Sequence, residues 1–200
     1  MSENSQETYK RKMQKRKEYQ DALVEQANKE KKLLIVHTGN GKGKSTAAFG
    51  TAVRSLGYGY KVGIVQFIKG AWESGEQKAL ERFGDLVRYE VKGCGFTWDT
   101  QNKEADIREA RAGWEIALEM INDDSYHLVV LDELNIVLRY DYLPLDEVLE
   151  TLAKRKNHVI LTGRNAPEKL IEAADLVTEM KQIKHPFREQ NIMAQKGIEF

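Results

Sequence analysis

The stretch "IVHTGNGKGKSTAAFG", residues 35–50, restricts the fold more than any other part of the chain. An apolar, β-branched run passes directly into three glycines, two lysines and a Ser-Thr pair, and then into an alanine-rich segment. Glycines let the backbone curl so that successive N–H groups point inward. The helix that follows adds the positive end of its dipole, a lysine neutralises anionic charge, and a hydroxyl holds a divalent cation. A strand, loop and helix in this order make an anion site at the end of a β-strand. The usual phosphate loop reads Gly, four residues, then Gly-Lys-Ser/Thr. Counting back from Gly43-Lys44-Ser45 puts Thr38 where the first glycine belongs, with Gly39 one place late. The candidate anion-binding residues are Thr38, Gly39, Asn40, Gly41, Lys42, Gly43, Lys44, Ser45 and Thr46. Among them Lys44 serves the phosphates and Ser45 the metal, while Lys42 is either a second phosphate contact or a solvated loop side chain.

From Leu33 onward, short β-branched runs alternate with helical stretches. The expected strands are 33–38, 62–68, 86–91, 127–132, 158–162 and 175–180. Several are apolar on both faces, as interior strands of a parallel sheet are. In the helix expected at 101–122, Ile107, Ala110, Trp114, Ala117 and Ile121 recur at steps of three and four, giving one buried face. Ser74 with Gln77 and Asn165 with Glu168 are spaced as capping boxes, and Pro144 sits at a first helical turn. The expected fold is α/β: a mostly parallel sheet of P-loop NTPase type with helices on both faces. Residues 1–32 are different, rich in Lys, Glu and Gln and without Gly or Pro. Their thin apolar stripe (Tyr9, Met13, Leu23, Val24, Ala27) predicts a helix that is either a frayed tail or an arm that orders when it docks on a ligand or another subunit, preceding a domain over 33–200.

Thirty-one basic and 31 acidic residues cancel, so no global field draws the chain to nucleic acid or an anionic membrane. Any anion site is local. The longest apolar runs fall short of a membrane span, and the N-terminus is too charged for a secretory signal. The single cysteine, Cys94, excludes an internal disulfide and fits the cytoplasm, and no basic cluster flanks it to stabilise a thiolate. His37, His127, His158 and His185 lack metal-ligand spacing.

A phosphate loop needs a metal partner on another strand. "HLVVLDELN" supplies Asp132 and Glu133 after an apolar run, so the candidate metal ligands are Ser45, Asp132 and Glu133, for Mg2+ or Mn2+. Gln66, Lys69 and Arg164 are expected to border the same crevice beyond the carboxyl ends of the strands, Arg164 as a triphosphate clamp or a helix-capping surface residue. These residues indicate a metal–nucleoside triphosphate and leave the reaction open. A P-loop ATPase or small-molecule kinase would use Asp132/Glu133 to activate water or a hydroxyl; a nucleotide-gated regulator would use its basic arm to hold a partner.

The segments "TGNGKGKSTAAFGTAVRSLGYG", "VGIVQFIKG", "GFTWDTQN", "VVLDELN", "YDYLPLDEV" and "LTGRNAP" together resemble the P-loop class of ATP:corrinoid adenosyltransferases, from about Leu33 to the closing "QKGIEF". That family's loop reads T-G-N-G-K-G-K-T/S, which makes Thr38 a family trait. The resemblance implies transfer of the 5′-deoxyadenosyl group of ATP to the cobalt of a reduced corrinoid, cob(I)alamin or a precursor, with release of triphosphate. It implies ATP lying reversed in the loop, its γ-phosphate where other P-loop enzymes hold the α-phosphate. Lys44 and Glu133 then act catalytically through charge. Phe96 and Trp98 become the aromatic pair beneath the corrin ring that displaces the lower cobalt ligand, whereas alone they would be read as packing. The family pattern further implies a homodimer, a reduced flavoprotein as electron donor, and an N-terminal helix that covers the site. Cys94 receives no role.

Overall fold

The computed structural model describes residues 3–68, 74–93 and 102–199. The chain divides into two compact units, residues 1–31 and 32–200. The first is a single helix, α1 (Glu3–Gln26). Among the described residues no helix is long and apolar enough to cross a membrane.

The second unit is built on six parallel strands: β1 (Leu34–Thr38), β2 (Lys61–Gln66), β3 (Val87–Val91), β4 (Tyr126–Asp132), β5 (His158–Thr162) and β6 (Leu176–Glu179), in the order β3-β2-β4-β5-β1-β6. Each expected strand forms within two residues of its anticipated bounds. The helices are α2 (Lys44–Gly57), α3 (Gly75–Leu80) running into a 3-10 turn (Glu81–Leu86), α4 (Lys103–Asn122), α5 (Leu134–Arg139), α6 (Leu145–Ala153), α7 (Glu168–Ala173) and α8 (Pro186–Gln190).

Strand side chains alternate between two apolar layers, as the two-residue period requires. On β4, Leu128 and Val130 join Ala48, Phe49, Ala52 and Leu56 of α2. Val129 and Leu131 turn the other way, into a layer with Trp114, Ala117 and Ile121 of α4 and Val137, Val148 and Leu152 of α5 and α6. Both faces of the sheet are therefore covered, which is why the interior strands tolerate apolar residues at consecutive positions. Burying a side chain such as Leu128 or Trp114 contributes on the order of 2–3 kcal/mol.

The local capping signals are realised unevenly. The Ser74 hydroxyl accepts from the Gln77 N–H at 3.2 Å, capping α3, while the Gln77 amide also donates to Glu81 at 2.8 Å. The Asn165–Glu168 box does not form: Asn165 has φ +54° and stands outside α7, whose N-cap is Pro167. Pro144 is likewise an N-cap, one residue before α6. At the far end of α4, the buried Asn157 side chain donates to the carbonyls of Met120 (2.8 Å), Ile121 (3.3 Å) and Asp123 (3.2 Å), satisfying helix-end acceptors that have no partner within the helix. The result is a sheet whose carboxyl edge presents the loops after β1, β4, β5 and β6 side by side.

Candidate active site

The loop after β1 is held from two sides. The Thr38 hydroxyl accepts from the backbone N–H of Ala166 at 3.1 Å, tying the first loop position to the segment after β5. The Thr38 carbonyl accepts from the Met180 N–H at 2.8 Å, and the Gly41 N–H donates to the Met180 carbonyl at 2.6 Å. A glycine at position 38 could not make the first contact, so the departure from the usual spelling has a structural use. Replacing Thr38 by valine leaves the Ala166 N–H without its partner and is expected to cost about 1 kcal/mol or more. Thr38→Ser retains the bond, so chemical denaturation should rank serine near wild type and valine below it; equal stability of the two variants would contradict this assignment.

The glycines do more than curl the loop. A Cβ at Gly41 would lie 2.7 Å from the Met180 carbonyl oxygen and 2.8 Å from the Lys181 carbonyl carbon, so the backbone after β6 passes where a side chain would stand. At Gly43 the space is open, and a φ of +104° sets the requirement instead, turning the chain into α2.

Lys44 begins α2 and is buried, 7% exposed. Its ammonium donates to the carbonyls of Gly39 (2.9 Å) and Gly41 (2.6 Å). Burial lowers its pKa, and the nearby Arg164 and Lys42 act in the same direction against the attraction of Glu133 and Asp132. Lys42, which the sequence leaves between two readings, is paired with the carboxylate of Glu199 near the C-terminus.

Opposite the loop, β4 delivers Asp132 and Glu133. Asp132 is 1% exposed and accepts from the Thr162 hydroxyl (2.6 Å) and the Gln66 amide (2.9 Å), with the Ser45 hydroxyl close by. Its pKa is raised by burial, against the pull of those hydrogen bonds. Glu133 sits at the sharp turn from strand to helix with φ +62°, a conformation a non-glycine residue adopts at a cost. Its N–H donates to the Thr162 hydroxyl at 2.9 Å, and its buried Oε2 has no hydrogen-bond partner among the described residues. Burial pushes the carboxyl up to about 7, helped by the adjacent Asp132 and opposed by Lys44 and Arg164. A strained, desolvated carboxylate with an unused oxygen, beside a second carboxylate, is an oxygen-donor site suited to a hard divalent cation.

Thr162 thus connects both acidic residues, and Asn135, fully buried, donates to the His37 carbonyl (3.3 Å) and the Gly163 carbonyl (3.0 Å), joining the ends of β1 and β5. Neither stands out in the sequence, because hydroxyls and amides at strand ends carry no signal until the strand order is known. Asn40 and Arg164 line a cavity of about 630 Å3 together with Glu179, Lys181, Gln182 and Arg188, so Arg164 faces the loop with two further cations near it. Ser45, Asp132, Glu133, Gln66 and Lys44 thus converge on one crevice. Lys69, Cys94, Phe96 and Trp98 lie outside the described residues.

Residues 30–200 match the family model for ATP:corrinoid adenosyltransferase BtuR/CobO/CobP, and residues 1–24 match that for a cob(I)alamin adenosyltransferase N terminal segment. A corrinoid adenosyltransferase of Pseudomonas aeruginosa is 50% identical over 194 residues, 96% of this chain and 95% of its own length. One from Escherichia coli K12 is 48% identical over 198 residues, 98% of this chain and all of its own. Among solved structures, the flagellar accessory protein FlaH of Methanocaldococcus jannaschii superposes with a TM-score of 0.51 at 16% identity, covering 74% of this chain and 70% of that one, a likeness of P-loop fold alone. The chain belongs to the family of ATP:corrinoid adenosyltransferases.

Proposed function

We propose that the crevice at the carboxyl edge of the sheet makes triphosphate a leaving group while the ribose 5′ carbon of ATP faces the cobalt of a reduced corrinoid. The chain is a transferase with ATP and a corrinoid as substrates. The Co(I) electron pair attacks C5′, a Co–C bond forms, the C5′–O bond breaks, and both its electrons leave with the triphosphate, so that cobalt ends as Co(III). Cob(I)alamin is already a strong nucleophile, so no general base is required. Catalysis consists of alignment and stabilisation of departing charge. The observation that carries this reading is the concentration of cationic and metal-binding groups on one loop edge: Lys44 buried in the loop, Arg164 beside it, and the unpartnered oxygen of Glu133 opposite.

Within that scheme the amides of residues 39–46 cradle the phosphates, Lys44 compensates their charge, and Arg164 clamps the chain from the β5 side. Ser45, Asp132 and Glu133 would hold Mg2+, or Mn2+, whose chemistry is to neutralise triphosphate oxygens. Among the described residues no group of three or more His, Cys, Asp or Glu side chains converges as a metal cage, so the cation would depend on this hydroxyl, these two carboxylates and the phosphates themselves. Thr162 and Gln66 orient Asp132, and Glu133 lies within electrostatic reach of Lys44. Phe96 and Trp98 serve the lower face of the corrin. We further propose a homodimer in the cytoplasm, residues 1–32 as a lid that excludes water, and a reduced flavoprotein as electron donor.

The test is incubation of the protein with MgATP and chemically reduced cobalamin, with phosphorus products identified by NMR. The expected result is inorganic triphosphate in step with adenosylcobalamin. Accumulation of phosphate or diphosphate without a cobalt–carbon product would favour the ATPase or kinase chemistry of Asp132 and Glu133.

A further inference from the structure

Lys42 lies inside the phosphate loop, between Gly41 and Gly43, yet its ammonium is committed to the carboxylate of Glu199 at 2.5 Å. The carboxylate is the more enclosed partner: the Glu199 side chain is 15% exposed and that of Lys42 54%. A closed turn delivers it, since the N–H groups of Ile198 (3.1 Å) and Glu199 (2.8 Å) both donate to the Gln195 carbonyl. Lys44 meanwhile is bonded to the loop's own carbonyls. In this arrangement each loop lysine already has an acceptor, and an entering phosphate chain must displace it.

The chemistry of the reaction makes such an acceptor useful. Breaking the C5′–O bond leaves its electron pair on the triphosphate, which then carries one more negative charge than the same phosphates had within ATP. A site that stabilises this charge in the transition state also holds the product tightly. We infer that Glu199 is a positioning residue for product release: its carboxylate competes with phosphate for Lys42, yields it when ATP enters, and recaptures it as triphosphate leaves. This rests on the reading that the loop holds the triphosphate as leaving group.

The experiment is calorimetric titration of inorganic triphosphate, with Mg2+, into the protein and its Glu199→Gln, Lys42→Gln and doubly substituted variants. Glu199→Gln should bind triphosphate about two- to fivefold more tightly, the range of a partly exposed ion pair. Lys42→Gln should bind it more weakly, and adding Glu199→Gln to Lys42→Gln should change nothing further. In turnover, Glu199→Gln should lower KM for ATP and the inhibition constant for triphosphate while kcat falls, a split that loss of packing alone would not give. Glu199→Asp, which keeps the charge and shortens the reach, should lie between wild type and glutamine. Unchanged or weaker triphosphate binding by Glu199→Gln, with wild type binding normally, overturns the role of Glu199 and leaves the loop assignment standing. Absence of triphosphate binding to the wild type overturns both.

Discussion

Lys44→Ala is expected to lower the rate of adenosyl transfer from prereduced corrinoid by about 10²- to 10³-fold, the loss usual when one preorganised donor to a developing anion is removed. The lysine is buried at the start of α2 and reaches back to the Gly39 and Gly41 carbonyls, so its ammonium is held within the curve of the loop. Burial has lowered its affinity for its proton, and an anion in the loop would restore it; the group is therefore most strongly cationic when the triphosphate is leaving. Lys44→Arg keeps the charge in a wider, planar head that the loop has little room for, and it should recover only part of the activity. Turnover by Lys44→Ala equal to wild type, with normal thermal stability, would refute the assigned role.

Glu133→Gln should have opposite effects on activity and stability. Activity is expected to fall by about 10²-fold or more, because the side chain loses the charge proposed to face the metal and the loop. The metal-free protein should gain stability. Burial holds the Glu133 carboxyl at about 7 where an ordinary one has 4.5, so the folded chain takes up this proton more readily than the unfolded one. The stabilising contribution of Glu133 is then fully present below about 4.5 and is lost as pH rises through about 7. Glutamine has no such loss. The advantage of Glu133→Gln over wild type in urea denaturation should therefore be small at pH 5 and grow to about 1–3 kcal/mol at pH 8. A variant less stable than wild type at pH 8 would show that the ionised glutamate is held by attractions stronger than those of Lys44 and Arg164. The left-handed backbone at Glu133 adds to the same picture of a residue retained for its chemistry at some expense to the fold.

The parts of the molecule legible in the sequence are those that depend on neighbours along the chain. Strands β4 and β5 are readable because apolar residues at consecutive positions fit an interior parallel strand, and α4 because Ala110, Trp114, Ala117 and Ile121 share one helical face. The strand–loop–helix context of Lys44 and Ser45 and the acidic pair after β4 are readable for the same reason. What cannot be read depends on strand order. Thr162 meets Asp132 only because β5 pairs with β4, and Asn135 bridges His37 and Gly163 only because β1 lies on the other side of β5. The Asn165–Glu168 spacing has the form of a capping box, but Pro167 takes the N-cap of α7 and Asn165 is held in a left-handed turn two residues earlier. Between them, Ala166 turns its N–H to the Thr38 hydroxyl instead of into the helix. Lys42 stays between two readings in the sequence because its partner, Glu199, lies 157 residues away.

Thr38 belongs to the same class. Its place in the loop is visibly unusual in the sequence, and the family resemblance makes it a shared trait, but its physical use requires the Ala166 N–H to be in place. The proposed phosphate loop is therefore fastened to the β5 and β6 segments by its own first residues, with Gly41 admitting the Met180–Lys181 backbone at close range. Such fastening suits a loop that holds the triphosphate still while the bond to carbon breaks.

Cleavage between carbon and oxygen, with triphosphate as the leaving group, is tested most directly by following the bridging oxygen. ATP carrying 18O between C5′ and the α-phosphorus is supplied with Mg2+ and prereduced cobalamin, and the products are weighed by mass spectrometry. Attack of cobalt on C5′ should place the label in inorganic triphosphate, with a cobalt–carbon bond in the adenosylated corrinoid. Label retained on the adenosine fragment, or recovered in ADP or AMP, would mean that a phosphorus–oxygen bond had broken, and would contradict attack at carbon.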